Sequence, residues 1–287
     1  MFTLKFANTY DFSVMLENHL KHVIEDHFSI SKEAFCIADG ITRDLTDCTP
    51  LEYPKNLEEA LDIIKKYPNP SGATRAATIC SDNFIKYVSG FNINSISERD
   101  ILDIVKKINN DIYALNANRK IDYLVNDYYA AVAVGGVFSN NSLLGFAIGD
   151  CRVIVLNKNL DTLFDSNQNN ISALGGRELP LYFKLFKIDA SWSNPNFRKF
   201  MRKTVRNNSL LKYIKRHTFG ALTGEHKAMP FVTTFSFPLA NAKYILAFSD
   251  GCEDSLNTKE KLASVIEKPS QIRKELHEKT LLIYEKS

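Results

Sequence analysis

FCIADG, residues Phe35 to Gly40, is an apolar, β-prone run that ends in an Asp-Gly pair. The stretch LAFSDG, from Leu246 to Gly251, has the same pattern. Each run predicts a buried strand that leaves a carboxylate where the strand stops. Because Asp39 and Asp250 are about two hundred residues apart, they meet only if the chain folds back on itself. Such a fold brings carboxylates of distant strands together on a divalent metal ion, and this convergence is our central hypothesis.

Three further acidic residues stand next to predicted strands. Glu25 and Asp26 come directly before a β-prone run, and Asp150 follows Gly149 at the end of another run. The competing interpretation is that these acids are surface residues, because paired acids before a strand are commonly a solvated turn and Asp-Gly is a common turn pair. The metal hypothesis requires instead that the acids lie together in the folded chain.

The composition is that of an ordinary globular protein, with 287 residues, 45% of them hydrophobic and 24% charged. We find no internal repeat and no clear linker, and we expect a single domain over residues 1–287. The net charge of +3 is too small to imply nucleic acid by itself. Five cysteines without a CxxC pair indicate neither a zinc site nor a disulfide framework. With no leader-like or long apolar stretch, we expect a cytoplasmic protein that has no membrane partner.

Helices are predicted before most of the strands. Helical spacing of apolar residues covers 57–64 after the N-cap candidate Asn56, then 73–88, and then 101–112 after the capping-box pair Ser97 and Asp100. Strands are predicted at 3–6, 128–138, 143–148, 152–156, 231–237, 244–248 and 280–284, and further helices near 259–266 and 271–276. Strands that follow helices in bunches favour a sheet-and-helix sandwich over alternating βαβ units.

Between residues 157 and 223 the sequence is polar and irregular, and we predict a basic insert there. Its basic residues are Arg198, Lys199, Arg202, Lys203, Arg206, Lys212, Lys215 and Arg216. Such a run is commonly one solvated helical face, and the alternatives are a phosphate-facing patch or a nucleic-acid surface. No nucleic-acid-binding motif accompanies the run, so nucleic acid is not an expected partner.

Four islands of sequence, in this order, resemble the metal-dependent protein phosphatases, the type 2C serine/threonine phosphatase family. They are IEDHF at 24–28, FCIADG at 35–40, GFAIGDCRVIVL at 145–156 and LAFSDGCED at 246–254. The segments ITRD, NPSGATRA and GALTGE are similar to the bacterial branch of that family. The resemblance spans nearly the whole chain and implies an α+β fold, a four-layer α/β/β/α sandwich in which helices flank two antiparallel sheets.

The resemblance also implies a centre of two Mg²⁺ or Mn²⁺ ions, with a third and looser ion beside it. The matching ligands are Glu25, Asp26, Asp39, Gly40, Asp150, Asp250 and Asp254. In the family, the acid matching Asp39 is shared between the ions together with the carbonyl matching Gly40, and the acid matching Asp250 binds on the other side. The family's phosphate-gripping arginine is matched by Lys21, which supplies charge but not a bidentate fork. On this basis Asp39, Asp250 and Lys21 are the predicted catalytic residues.

Two departures from the family pattern bear on activity. The Gly-Gly-His of the family is replaced by Thr42-Arg43-Asp44, so no histidine acid follows Asp39 directly. The C-terminal motif reads His277-Glu278-Lys279-Thr280 where Asp-Asn-x-Thr or Asp-Asp-x-Thr is expected, so one metal Asp is missing. We expect Glu278, or else His277, to replace it, because hard divalent ions prefer oxygen ligands. Without either ligand, activity falls sharply.

Hydrolysis of a phosphate ester is the chemistry that such a centre performs. Two hard ions a few Å apart bridge a water, lower its pKa and hold it in line with phosphorus, so no protein nucleophile is needed. This fits the absence of GxSxG, CxxxxxR and glycine-rich phosphate-binding motifs. We predict a hydrolase of phosphoserine and phosphothreonine in proteins, acting on targets of a kinase. The alternative is a pseudophosphatase, a regulatory binding module of the same fold, favoured by Lys21 and the altered C-terminal motif.

Overall fold

The computed structural model describes residues 2–10, 25–41, 68–124, 126–167, 184, 195–208, 218–274 and 279–287. The predicted helix after Asn56 lies outside these residues. The strands are β1 Phe2–Tyr10, β2 His27–Ile30, β3 Ala34–Ile41, β4 Ala130–Ser139, β5 Ser142–Ile148, β6 Arg152–Leu156, β7 Thr162–Asp165, β8 Thr233–Pro238, β9 Tyr244–Phe248 and β10 Lys279–Lys286. The α-helices are α1 Gly72–Val88, α2 Glu98–Asn116, α3 Pro195–Phe200, α4 Glu253–Leu256 and α5 Lys259–Glu267.

The strands form two five-stranded antiparallel sheets. Sheet I has the order β1-β10-β9-β6-β7, and sheet II has the order β2-β3-β4-β5-β8. All of the strand pairs within these sheets are antiparallel. Since chain-distant strands such as β1, β9 and β10 are neighbours, each sheet is completed only by long-range pairing.

Side chains that alternate along each strand build three buried layers. In β10, Leu282 faces the other sheet, whereas Leu281 faces the helices outside sheet I. The layer between the sheets contains Phe35, Ile37, Val134, Val153, Ile245 and Leu282. Helices α1 and α2 cover the outer face of sheet II, and α5 covers that of sheet I. The predicted four-layer α/β/β/α sandwich is therefore confirmed.

The two long helices begin where their caps are. Ser71 caps α1 by accepting the backbone N–H of Thr74 at 3.0 Å. Ser97 and Asp100 form the predicted capping box of α2, in which Asp100 accepts the Ser97 backbone N–H at 2.9 Å. The predicted apolar stripes of both helices are buried against sheet II, which confirms these two predictions.

Three local features differ from expectation. β3 continues past the Asp-Gly pair to Ile41, because Asp39 and Gly40 pair with Val132 and Ala131 of β4. The segment after residue 157 is not irregular throughout, since β7 extends sheet I by a hairpin with β6. The residues from Pro269 to Lys274 form a 3₁₀ helix rather than an α-helix. The described residues also include 3₁₀ helices at Ile93–Ser95, His226–Phe231 and Asp250–Cys252 and a π-helical turn at Met201–Val205.

No helix in the described part of the chain is both long enough and apolar enough to cross a membrane.

Candidate metal centre

One end of the sandwich collects acids from four distant places in the sequence. Asp250 follows β9 in sheet I, and Asp39 lies in β3 of sheet II. The turn at Gly149 and Asp150 carries the chain from β5 in sheet II to β6 in sheet I. Asp26 precedes β2, hydrogen-bonds to Asp39 and lies close enough to Asp250 for the two charges to interact. The fold thus brings Asp26, Asp39, Asp150 and Asp250 together.

Hydroxyl groups from the other sheet hold the Asp26 carboxylate. Ser249 Oγ donates a hydrogen bond to Asp26 Oδ2 at 2.7 Å and accepts the backbone N–H of Thr280 at 2.9 Å. Thr280 also hydrogen-bonds to Asp26, and its hydroxyl pairs with that of Thr9 at 2.8 Å. Asp26 is only 3% exposed and Ser249 only 1%. Sequence reasoning missed Ser249 and Thr280, although one directly precedes Asp250 and the other ends the C-terminal motif.

The N-terminus of α1 encloses Glu25. Ser71 donates a hydrogen bond to Glu25 Oε1 at 2.8 Å, and both side chains are buried. The backbone N–H of Gly40 donates to the Glu25 carbonyl at 3.2 Å. A Cβ atom on Gly40 would lie 2.5 Å from the Ala73 carbonyl oxygen, so only glycine fits where β3 passes the helix. The Asp-Gly pair therefore reflects close packing rather than a turn.

Burial and repulsion raise the pKa values of two of these acids, Asp26 and Asp150. Burial raises the pKa of Asp26 to about 6, and the charge of Asp250 adds to this against the hydrogen bonds from Ser249 and Thr280. Desolvation by burial, and then the charge of Asp250, also raise the pKa of Asp150. The Asp150 residue is exposed overall, so solvent screens both effects at this position.

The buried thiol of Cys151 reports how close the acids are to one another. Burial is the main cause of its raised pKa, and the charges of Asp39, Asp150, Asp26 and Asp250 all add to it. All four carboxylates therefore lie close enough to the Cys151 thiol for their charges to act on it. Such a concentration of negative charge favours binding of cations.

Glu253 is a further acid near this group that sequence reasoning did not select. It begins α4, interacts with Asp250, Asp254 and Asp150 through its charge, and lies 3.5 Å from Arg152. Its only signal in the sequence is its position one helical turn after Asp250. The predicted ligand Asp254 is exposed in the same helix, where its carbonyl accepts a hydrogen bond from Lys261 at 2.6 Å.

Three predicted residues lie outside the described part of the chain. They are Lys21, the expected phosphate-binding cation, and His277 and Glu278, the expected replacements for the missing metal ligand. Their roles stay predictions.

The described acids suit hard divalent ions in chemistry, but they are not prearranged around one. Their carboxylate oxygens are the donors that Mg²⁺ and Mn²⁺ prefer. Within the described ranges, however, no group of three His, Cys, Asp or Glu side chains is arranged to hold a metal ion. Glu25 and Asp26 instead direct oxygen atoms to the hydroxyls of Ser71 and Ser249. The donor set therefore fits the ions, although the described side chains do not form a complete metal site.

Solved bacterial serine/threonine phosphatases have the same architecture. Serine/threonine phosphatase Stp1 from Staphylococcus aureus matches with a TM-score of 0.56 and 13% identity over 100% of this chain and 94% of that chain. The Mycobacterium tuberculosis phosphatase PstP/Ppp matches with a TM-score of 0.55 and 12% identity over 99% of this chain and 97% of that chain. The catalytic domain of PstP in complex with two manganese ions matches with a TM-score of 0.54 and 14% identity over 99% of each chain. No protein-family model and no curated protein sequence matches the chain.

These matches confirm the resemblance at the level of the fold. The chain has the fold of the bacterial, type 2C-like serine/threonine phosphatases, over nearly its whole length. At 12 to 14% identity the likeness concerns the backbone arrangement, and the manganese ions belong to the PstP structure.

Proposed function

We propose that this protein is a divalent-metal-dependent phosphatase that removes phosphate from phosphoserine and phosphothreonine in proteins. The observation that carries the proposal is the convergence of Asp26, Asp39, Asp150 and Asp250 around Cys151 at one end of a phosphatase fold. The raised pKa values of Asp26 and Asp150 mean that burial, and then the charge of Asp250, disfavour the ionised carboxylates in the absence of cations. A cluster with this property is expected at a cation site.

The residues of the chain divide the work as follows. Asp39, the Gly40 carbonyl and Asp250 would hold two Mg²⁺ or Mn²⁺ ions, with Glu25 and Asp26 close by. Bound in this way, the ions would supply an activated water for attack on phosphorus and would neutralise the phosphoryl charge. Ser71 and Ser249 orient the Glu25 and Asp26 carboxylates. Lys21 is expected to add positive charge beside the phosphate. A cytoplasmic location, expected from the cysteine pattern, belongs to the same proposal.

His27, Ser81 and Asp82 are close together in the described part of the chain, but they do not form a catalytic Ser-His-Asp triad. His27 Nδ1 lies 2.7 Å from Ser81 Oγ and 3.8 Å from Asp82 Oδ1. A Ser-His-Asp triad needs the two ring nitrogens to contact different partners, whereas here one nitrogen faces both. Ser81 is also buried and donates to the Ala77 carbonyl at 3.0 Å. This favours an attacking water over a covalent intermediate.

The proposal is tested by manganese-dependent hydrolysis of p-nitrophenyl phosphate and of a phosphothreonine peptide. We expect Asp39→Asn and Asp250→Asn to reduce the rate by more than about a hundredfold, because even partners of metal ligands are worth 10- to 100-fold. Asp161→Asn is the matched control, since Asp161 is an exposed acid that pairs with Lys259. A native rate no higher than that of Asp39→Asn would contradict the proposal.

An inactive binding module of the same fold is the second candidate. It is favoured by the finding that no three acids of the described residues are arranged for a metal ion. Calorimetric titration with Mn²⁺ separates the two candidates without an activity assay. Binding that Asp39→Asn abolishes supports the enzyme, and no binding to the native chain supports the module.

A further inference from the structure

The basic insert is fastened to the core by a buried ion pair. Arg206 donates to both carboxylate oxygens of Asp127, Nη1 to Oδ2 at 2.8 Å and Nη2 to Oδ1 at 2.6 Å. The side chains are 2% and 1% exposed. Arg202 approaches the same carboxylate at 3.4 Å and is only 11% exposed, whereas Lys203 is exposed. Two arginines of the predicted basic run therefore point inward, which corrects the interpretation of the run as one solvated face.

A second set of contacts ties this stretch to residues 218–225. Asn207, which has a positive φ of 53°, donates to the Ala221 carbonyl and accepts the Ala221 N–H, both at 2.9 Å. Asn116 of α2 donates to the Thr223 carbonyl at 3.2 Å. The two stretches are thus clamped to each other and to the junction between α2 and β4.

The clamp lies at the same end of the sandwich as the acids. Ala131 of β4 exchanges backbone hydrogen bonds with Leu222 at 3.1 and 2.8 Å, and the same residue pairs with Gly40 of β3. Neighbouring strands are about 4.8 Å apart, so the Leu222 backbone lies roughly 10 Å from that of Gly40. The stretch that follows the basic run is therefore anchored within two strand spacings of the predicted metal ligands.

A buried ion pair is better suited to fixing geometry than to adding stability. Replacing such a pair by apolar residues is frequently neutral or stabilising, because desolvation of the charges offsets their attraction. The bidentate fork between Arg206 and Asp127 permits one relative orientation of the two segments. The ion pair between Arg206 and Asp127 thus fixes the position of the basic run relative to the core.

We propose that Asp127 and Arg206 are positioning residues that hold the described part of the basic run near the acid cluster, where the exposed side chain of Lys203 binds an acidic residue next to the phosphate of a phosphorylated protein. This inference rests on the proposed function and adds a preference for acidic flanking sequence. The partner it selects is an acidic phosphopeptide, because lysine attracts carboxylate and phosphate alike.

The test compares Asp127→Asn with the native chain on three substrates. They are p-nitrophenyl phosphate, a phosphothreonine peptide with acidic flanks and the same peptide with neutral flanks. We expect KM for the acidic peptide to rise about tenfold, which is 1.4 kcal/mol, while kcat and the values for the other two substrates stay within about twofold. Trypsin should also cleave the described part of the basic run faster, because Arg202 and Arg206 lose the charge of Asp127. Asp161→Asn, which breaks an exposed pair, is the control.

Lys203→Glu is the second variant, because it changes an exposed side chain and leaves the clamp intact. It should weaken binding of the fluorescein-labelled acidic peptide to the metal-free protein by about tenfold. Fluorescence anisotropy measures this affinity. This binding assay tests the inference even if Asp127→Asn does not fold. It also does so if the native chain shows no turnover, and that absence of turnover would count against the proposed function only. Unchanged acidic-peptide affinity in Lys203→Glu overturns the inference. An equal loss of kcat on all three substrates in Asp127→Asn also overturns it.

Discussion

At the acid cluster, the atoms around a single position determine which residue type fits there. Gly40 is a glycine because two backbone carbonyls, those of Ala73 and Glu25, approach it too closely for a side chain. Ser249 is a hydroxyl residue because it both donates to Asp26 and accepts from the Thr280 backbone. Each of these requirements can be tested by removing or adding one group.

Gly40→Ala should destabilise the protein by at least about 2 kcal/mol, since the new Cβ would lie 2.5 to 2.8 Å from backbone atoms that cannot move aside easily. Chemical denaturation measures the loss. Gly90→Ala is the control, because the nearest heavy atom to its Cβ would be at 3.4 Å, an ordinary contact. Equal stability of the two variants would disprove the close approach at Gly40.

Ser249→Ala should weaken Mn²⁺ binding by about 10- to 100-fold, the usual effect of removing a partner of a metal ligand. The variant loses the hydrogen bond that lowers the pKa of Asp26, so the carboxyl holds its proton more tightly against the metal. Isothermal titration calorimetry gives the affinity directly. Ser89→Ala, which removes an exposed hydroxyl bonded to the Lys86 carbonyl, should bind Mn²⁺ like the native chain. A dissociation constant within twofold of native for Ser249→Ala argues against the positioning role.

At the scale of elements, helix caps and strand pairing place the acids. The cap residue of α1, Ser71, is also the partner of Glu25, so the start of the helix and the geometry of the site depend on one side chain. Both long helices were predicted from apolar spacing, because an amphipathic stripe is a local pattern. The end of β3 was not predicted well, because pairing with β4 extends it beyond Asp39.

Ser97→Ala should lower the free energy of unfolding by about 1 kcal/mol, because the capping box of α2 loses its acceptor for the Asp100 N–H. Ser97→Asn retains a capping oxygen and should stay within a few tenths of a kcal/mol of native. Urea denaturation followed by circular dichroism checks both. A loss of the same size in the two variants would mean that the cap does not stabilise the helix.

At the scale of the whole molecule, the layer between the sheets contains one polar atom without a described partner. Tyr284 is 3% exposed, lies against Phe35 and Phe138 at centroid distances of 5.4 and 5.2 Å, and its hydroxyl has no hydrogen-bond partner among the described residues. Burial also raises its pKa. The hydroxyl is thus a desolvated group that the fold tolerates.

Tyr284→Phe should therefore stabilise the protein by about 1 kcal/mol, because it removes a buried unsatisfied hydroxyl. Tyr87→Phe is the contrasting variant, since the Tyr87 hydroxyl donates to Asp111 at 2.7 Å and its loss should destabilise by about 1 kcal/mol. Thermal unfolding should show a higher melting temperature for Tyr284→Phe than for the native chain and a lower one for Tyr87→Phe. A destabilised Tyr284→Phe would show that the hydroxyl has a partner after all.

The acid cluster also predicts how stability depends on pH. Asp26 titrates at about 6 in the folded protein instead of its usual 3.8, and the pKa of Asp150 is raised as well. The folded chain therefore binds more protons than the unfolded chain above pH 4, and this contribution to stability is lost as the pH rises from about 4 to about 7. Metal-free protein should unfold at a lower temperature at pH 7.5 than at pH 5.

Mn²⁺ should reverse this trend, because it replaces the protons and binds best when the carboxylates are ionised. Calorimetric scans at the two pH values, with Mn²⁺ or with a chelator, show the change. The variant Asp26→Asn with Asp150→Asn should have a flatter pH dependence. An equal gain from Mn²⁺ at both pH values would contradict a carboxylate metal centre.

The sequence by itself determined the two long helices, most of the described strands and the identities of Asp26, Asp39, Asp150 and Asp250 in the cluster. It could do so because apolar spacing, and acids that directly precede or follow apolar runs, are local patterns along the chain. The tertiary structure alone decided that Ser249 and Thr280 hold Asp26, that Glu253 joins the acids and that Arg206 is buried on Asp127. These contacts join residues far apart in the chain, and hydroxyl, carboxyl and guanidinium groups carry no local mark of the partner they will meet. Their partners are set only when the two sheets pack face to face.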